Sequence, residues 1–209
     1  MPRHDPELRE ERRRELVDAA WRCVARTGYR DTSVDDICAD AGVSKGSFYW
    51  YFKRKEDLLP ALIEEEAATM ERALAELVAG HRPGLARLRM FARGILDEGD
   101  DPALMRVRAD LWGEVLRNPA LRPSFIASLK RRRELLSQAL LEGVATGEFD
   151  DRGALSWLLM ALSDGLMLHG AVEPGTRHGQ PLRKSVDSLL DAMARPQVRK
   201  SDEEGANAR

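Results

Sequence analysis

Twelve consecutive residues concentrate the polar and aromatic chemistry of this chain: Ser44-Lys45-Gly46-Ser47-Phe48-Tyr49-Trp50-Tyr51-Phe52-Lys53-Arg54-Lys55. On a helix of 3.6 residues per turn, Phe48 and Phe52 share one side while Gly46, Ser47 and Trp50 turn away from it. Lys45, Tyr49 and Tyr51 lie on the borders. A short helix that exposes Trp, Tyr, Ser and Lys calls for something to cover it. The major groove of duplex DNA admits one helix and offers base edges, thymine methyls and phosphates. Gly46 lets the backbone approach, and Lys45 reaches a base edge or phosphate. Tyr49 and Trp50 supply apolar contact plus O–H and N–H donors. Tyr51 and Lys53 suit phosphates, although Tyr51 fits an inward position equally well. Phosphates are also expected at two helix starts, one marked by the hydroxyls of Thr32 and Ser33 and one at Lys55.

Other chemistries find little support. The sequence contains no GxSxG, P-loop, HExxH or Glu-x-x-His pattern. His4, His81, His169 and His178 are scattered, without ligand spacing to Cys23 or Cys38. No catalytic residue, metal site or cofactor is therefore expected, and the chain is read as not an enzyme. A helical-bundle enzyme assembled from groups distant in sequence is the remote alternative.

These residues need elements to hold them. The 209-residue chain is 43% apolar, 33% charged and 6% aromatic, rich in Ala, Leu, Arg and Glu and sparse in strand formers, so an all-α fold is expected. Apolar spacing predicts about nine helices, over 7–26, 33–41, 44–52, 55–79, 85–96, 102–117, 121–146, 152–170 and 181–194. Gly28 and Gly42 stop the first two. Ser33 with Asp36 reads as a capping box, and Ser44 as the next N-cap. The segment 33–52 thus has helix-turn-helix spacing. Three parts are expected: a helix-turn-helix domain over 7–54, a larger helical part over 55–195 to which the resemblance given below assigns a connecting helix, ligand binding and dimerisation, and a disordered tail over 196–209. The first 55 residues carry 12 Lys/Arg and 10 Asp/Glu, slightly basic against a total of −2. Two cysteines within helical patterns, no signal-like start and an apolar stretch interrupted by Ser163, Asp164 and Gly165 point to a cytoplasmic protein that neither spans nor binds a membrane.

The run Ala41-Gly42-Val43-Ser44-Lys45-Gly46-Ser47-Phe48-Tyr49-Trp50-Tyr51-Phe52, followed by Lys55-Glu56-Asp57-Leu58-Leu59, resembles the TetR family of transcriptional repressors. Gly28-Tyr29 and Thr32-Ser33-Val34-Asp35-Asp36-Ile37 fit the same pattern, so that the likeness covers residues 12–63. It implies a three-helix DNA-binding domain, a connecting fourth helix and a C-terminal bundle that binds ligand and dimerises. Glu142-Gly143-Val144-Ala145-Thr146-Gly147-Glu148-Phe149 and Ser163-Asp164-Gly165-Leu166 more loosely resemble members of the choline-regulator type, and no ligand is carried over from them. Pro60 departs from the pattern: a turn inside a helix starting at Lys55, it is expected to kink the connection between ligand and DNA.

Together these imply a homodimeric, sequence-specific repressor. It would read a palindromic operator with half-sites about 34–36 Å apart and be released by a small apolar or amphipathic effector. Control by a partner protein is the alternative, and would go with a filled C-terminal core. A stripe of Leu182, Val186, Leu189, Leu190 and Met193, facing Leu155, Leu158 and Leu162 of the preceding all-round apolar helix, is the expected dimer interface. Phe91, Met105, Leu111, Trp112, Leu116, Phe125, Met160 and Met167 are the expected apolar pocket walls, with Asp110, Asp164 and His169 as polar groups. Each Met or Trp alone fits ordinary core equally well.

Overall fold

The structure, a computed structural model, describes residues 6–80, 84–99, 101–148, 155–173 and 180–193. The expected tail 196–209 and most of the loop before the last helix lie outside these. Among the described residues there are nine α-helices and no strand. α1 (Pro6–Thr27), α2 (Val34–Ala41) and α3 (Lys45–Tyr51) precede a 3-10 turn, Lys55–Leu58. α4 (Leu59–Ala79), α5 (Gly84–Gly99), α6 (Pro102–Arg117), α7 (Arg122–Ala145), α8 (Leu155–Val172) and α9 (Gln180–Met193) follow.

Local signals set the short helices of the N-terminal unit. Ser33 Oγ accepts the Asp36 N–H at 3.1 Å and Asp36 Oδ2 accepts the Ser33 N–H at 2.8 Å, which closes the capping box of α2. These bonds from Ser33 hold the Asp36 carboxyl below its ordinary value. Gly42, in left-handed geometry at φ 66°, ends α2. Ser44 Oγ accepts the Ser47 N–H at 3.1 Å and starts α3.

The connecting helix corrects the expectation about Pro60. The residues 55–58 form the 3-10 turn, so Pro60 is the second residue of α4, where its missing N–H would have had no helical partner. It opens the helix and does not interrupt it.

Two apolar cores hold the chain together. One contains Leu16, Ala20, Cys23, Ile37, Phe48, Phe52, Leu58 and Leu62 and continues into Val107, Leu111, Val115 and Phe125 of the bundle. It therefore crosses the boundary expected at residue 54. The other joins Leu74, Leu88, Ile95, Leu136, Leu140, Leu155, Leu159, Leu166, Val186 and Leu190. α4 lies along α7, and α6 packs on both α1 and α8. α8 is long and apolar enough by composition to cross a membrane, but one side of it lies in the second core.

Candidate nucleic-acid interface and interior chamber

α3 divides as the wheel predicts. Phe48 is fully buried and Phe52 nearly so, whereas Tyr49 and Trp50 are 52% and 49% exposed. Tyr49 stands edge-on against Phe48, and Trp50 edge-on against Tyr51 with centroids 4.7 Å apart. The guanidinium of Arg9 lies 4.7 Å from the Trp50 ring centre, and that of Arg13 lies over Phe52. Arg9 and Arg13 were not among the expected contacts; the basic start of α1 is the signal that pointed to them. Lys45 Nζ forms a 2.7 Å ion pair with Asp35 of α2, both ends exposed, which holds its ammonium above its ordinary pKa. Ser33, Ser44, Gly46 and Lys53 are exposed, Ser47 and Tyr51 half-buried, with Tyr51 packed against the first core. A methyl on Gly46 would meet only Ser44 Oγ, at 3.7 Å, so this surface is open to close approach.

Two expected phosphate ligands are corrected. Thr32 is buried, and its hydroxyl donates to the Gly28 carbonyl at 2.8 Å. Lys55 turns its ammonium inward over the Tyr29 ring and donates to the carbonyls of Tyr29 (2.9 Å), Arg30 (3.3 Å) and Thr32 (2.8 Å). A lysine beside a turn with unpaired carbonyls is captured by them, since each would otherwise need another donor. Both side chains are engaged within the protein, where they fix the α1–α2 turn.

α6 grips that same turn. The Tyr29 N–H donates to Asp110 Oδ2 at 2.7 Å, Arg106 donates to the Arg26 carbonyl at 2.8 Å, and Arg30 lies 3.9 Å from Glu114. Gly28 at φ 90° turns the chain there, and a methyl on it would sit 3.2 Å from Asp110 Oδ2. Asp110, expected in a ligand pocket, instead links the two halves of the protein.

The bundle interior brings together Leu111, Trp112, Phe125, Asp164 and Met167 around a cavity of about 30 Å³. Phe91 and Met160 line an adjoining space of about 20 Å³. Three other candidates lie elsewhere. Leu116 is 66% exposed and His169 is exposed; Met105 is buried against Gly170 of α8. The chamber also contains charged residues that the sequence reading missed: Glu66, Arg108 and Arg132. Arg108 Nε donates to Glu66 at 2.5 Å and Nη1 to Glu98 at 2.7 Å, joining α6 to α4 and α5. Burial works against its charge, but the two carboxylates outweigh it and hold Arg108 protonated. Burial pushes Glu66 and Asp164 up and Arg132 down. The signal was available: Glu66, Arg108 and Arg132 each sit three or four residues from apolar neighbours on an inner stripe. Between α4 and α5, Met70, Leu74, Phe91, Gly94 and Ile95 line a mostly apolar groove of about 230 Å³, with Glu76 and Glu98 also on its wall.

The expected dimer stripe is also redistributed. Leu155, Val186 and Leu190 are buried in their own protomer, and Leu162 and Leu182 pack against the same core. Only Leu158 and Leu189 of that set are exposed, both at 53%; the side chain of Met193 lies outside the described residues. Trp157, Leu168 and Val172 join Leu158 on the outer side of α8, while Leu189 is exposed on α9. Both faces of α8 are apolar, and spacing alone does not tell which of them packs inside its own protomer.

Comparison with known proteins agrees with this geometry. The sequence model of bacterial regulatory proteins of the TetR family matches residues 16–62, and that of the BetI-type transcriptional repressor C-terminal domain matches residues 83–195. The chain is 30% identical over 183 residues to the HTH-type transcriptional regulator BetI of Klebsiella pneumoniae (strain 342), covering 86% of this chain and 89% of that one. It superposes on the transcriptional regulator FadR from Bacillus subtilis, solved in complex with stearoyl-CoA, with TM-score 0.68 and 26% identity, over 84% of this chain and 96% of that one. A transcriptional regulator from Saccharomonospora viridis in complex with choline shares the fold, with TM-score 0.73 and 22% identity over 88% and 98% of the two chains. A helix-turn-helix with an exposed aromatic helix, joined by α4 and α6 to a hollow bundle, is thus the architecture of a TetR-family transcriptional regulator with a BetI-type C-terminal domain, and the chain belongs to that family.

Proposed function

We propose that this regulator is a cytoplasmic homodimeric repressor that reads a palindromic operator through α3 and releases it when a small apolar or amphipathic molecule enters the bundle. The observation that carries this is the outward pair Tyr49 and Trp50, half-exposed on a seven-residue helix whose other side is fully used by Phe48 and Phe52. Lys45, Gly46 and Ser47 complete the base-reading surface. Ser33, Ser44, Tyr51 and Lys53 flank it as phosphate contacts, joined by Arg9 beside Trp50. The partner protomer covers Trp157, Leu158, Leu168 and Leu189, which also explains why α8 is apolar on both sides. The chamber and the groove beside it favour a small molecule over a protein partner as the signal. The named relatives bind choline in one case and stearoyl-CoA in another, so kinship alone does not choose the effector.

The test is operator selection from random duplexes, followed by binding curves for variants. Tyr49→Ala and Trp50→Ala are expected to weaken specific binding by about 1–3 kcal/mol each while non-specific binding persists. Leu158→Glu with Leu189→Glu is expected to give folded monomers with poor operator affinity. Variants that keep full specificity, or a wild-type chain that selects no sequence, would refute the proposal.

A further inference from the structure

Among the described residues the bundle contains one cation and one acid, facing one cavity, that form neither an ion pair nor a side-chain hydrogen bond. Arg108 is matched twice, by Glu66 and Glu98, so those two carboxylates are spent. Arg132 of α7 is different. Its Nε is shut off from solvent without a hydrogen-bond partner, and no acid lies within ion-pair distance of its guanidinium among the described residues. Asp164 of α8 lines the same cavity and is likewise in no ion pair or hydrogen bond among them. Native interiors rarely leave such a donor open, and where they do, an ordered water, an ion or a ligand group completes it.

The surrounding shape gives the rest of the group. Met70, Leu74 and Phe91 form the wall shared by the Arg132 chamber and the apolar α4/α5 groove of about 230 Å³. A molecule reaching Arg132 from that groove would have a polar end inside and an apolar body behind it. The polar end meets donors: the guanidinium of Arg132 and the hydroxyl of Ser163. Burial pushes the Asp164 carboxyl up, while Arg132 and Arg108 oppose that shift. A cationic head inside the chamber would instead face Arg132 and Arg108, with Glu66 already paired and Asp164 as the acid left there among the described residues; Glu76 and Glu98 lie out on the groove wall.

We propose, granting the small-molecule control argued above, that the effector is an amphipathic monoanion: a carboxylate or similar oxyanion held by Arg132, with an apolar tail lying past Phe91 in the groove between α4 and α5. Charge-assisted hydrogen bonds to a planar guanidinium favour an oxyanion over a neutral or cationic head. The tail would press on Met70 and Leu74 of α4, the helix that leads directly to the DNA-reading unit.

The experiment titrates the full chain with decanoate, decanol and decyltrimethylammonium, by calorimetry and by release of a fluorescent operator. Decanoate is expected to bind at least tenfold more tightly than either of the others and to release DNA. Arg132→Gln is expected to weaken decanoate at least tenfold and leave decanol unchanged. Its melting temperature should stay close to that of the wild type, because Arg132 makes no ion pair or side-chain hydrogen bond among the described residues. An arginine that merely braced the fold would lower the melt and affect both ligands alike. Gly94→Leu, whose side chain enters open space in the groove, should weaken decanoate and spare butyrate. The proposal is overturned if the ammonium compound binds best, if Arg132→Gln binds decanoate like the wild type, or if none of the three binds a protein that still holds its operator. Failure to hold any operator would instead count against the repressor reading itself.

Discussion

Replacing Asp110 by alanine removes the acceptor of the Tyr29 N–H and one of three polar ties between α6 and the α1–α2 turn. The bond is short, 2.7 Å, partly buried and made to a carboxylate side chain. Hydrogen bonds of that kind contribute about 1.5–3 kcal/mol net. For a chain of this size each kcal/mol shifts the melt by about 2–4 °C, so Asp110→Ala should lower Tm by roughly 3–12 °C. Asp110→Asn keeps an acceptor without the charge and should fall between. The ties from Arg106 and Arg30 remain, so the free variant should still bind operator. Under the proposed small-molecule control, what should shrink is the response to effector, because this carboxylate is one of the ties between the bundle and the turn. A coupling of about 1–3 kcal/mol in the wild type should fall measurably toward zero. Scanning calorimetry reads the first effect, and operator titrations with and without effector read the second. Equal melts across Asp, Asn and Ala would show that the turn does not depend on this bond. A full effector response in the alanine variant would show that α4 alone carries the signal.

Two further outcomes follow from the corrected roles of charged residues. Lys55→Met should destabilise the protein by at least about 1.5–3 kcal/mol, since three carbonyls lose a charged donor. Lys53→Ala should leave the melt nearly unchanged yet reduce the salt dependence of operator binding by about one ion; matching melts for the two variants would show that the inward lysine is dispensable. Asp164→Asn tests the sign of burial. The folded-state value of Asp164 lies above its unfolded one, so its contribution to stability is present at low pH and lost as pH rises through the folded value. The Asn variant, free of that loss, should gain on the wild type in melts run from pH 4 to pH 8, and a gap that narrows instead would refute the assignment.

The N-terminal unit was largely legible because its signals are local. Capping at Ser33 and Ser44, the left-handed Gly42 and the Phe48/Phe52 spacing all depend on neighbours within four residues. Thr32 and Lys55 were misjudged because residue type shows what a side chain offers and not which partner takes it. Carbonyls more than twenty residues away claim Lys55. Pro60 was misread through a helix start placed four residues too early, where a 3-10 turn intervenes. In the bundle, spacing identified α8 and α9 as apolar but could not tell Leu155 and Leu190, which face inward, from Leu158 and Leu189, which do not. The chamber was half visible: several of its aromatic and sulfur walls were anticipated, while Glu66, Arg108 and Arg132 were not singled out, because only tertiary packing shows that they are enclosed.

Gly170 has a mechanical consequence. A methyl there would meet Met105 Cγ at 3.0 Å and the Gly99 carbonyl at 3.2 Å, so α8 is pinned near its C-terminal end against the junction of α5 and α6. Asp164 lies six residues from that pin, about 9 Å along the axis, and Leu155 fifteen residues away, about 22 Å. A rigid α8 pivoting at Gly170 would magnify a displacement of about 1 Å beside Asp164 to about 2.5 Å at Leu155. The swing is greatest where Trp157 and Leu158 meet solvent, so occupancy of one protomer would be felt by whatever molecule leans on that end.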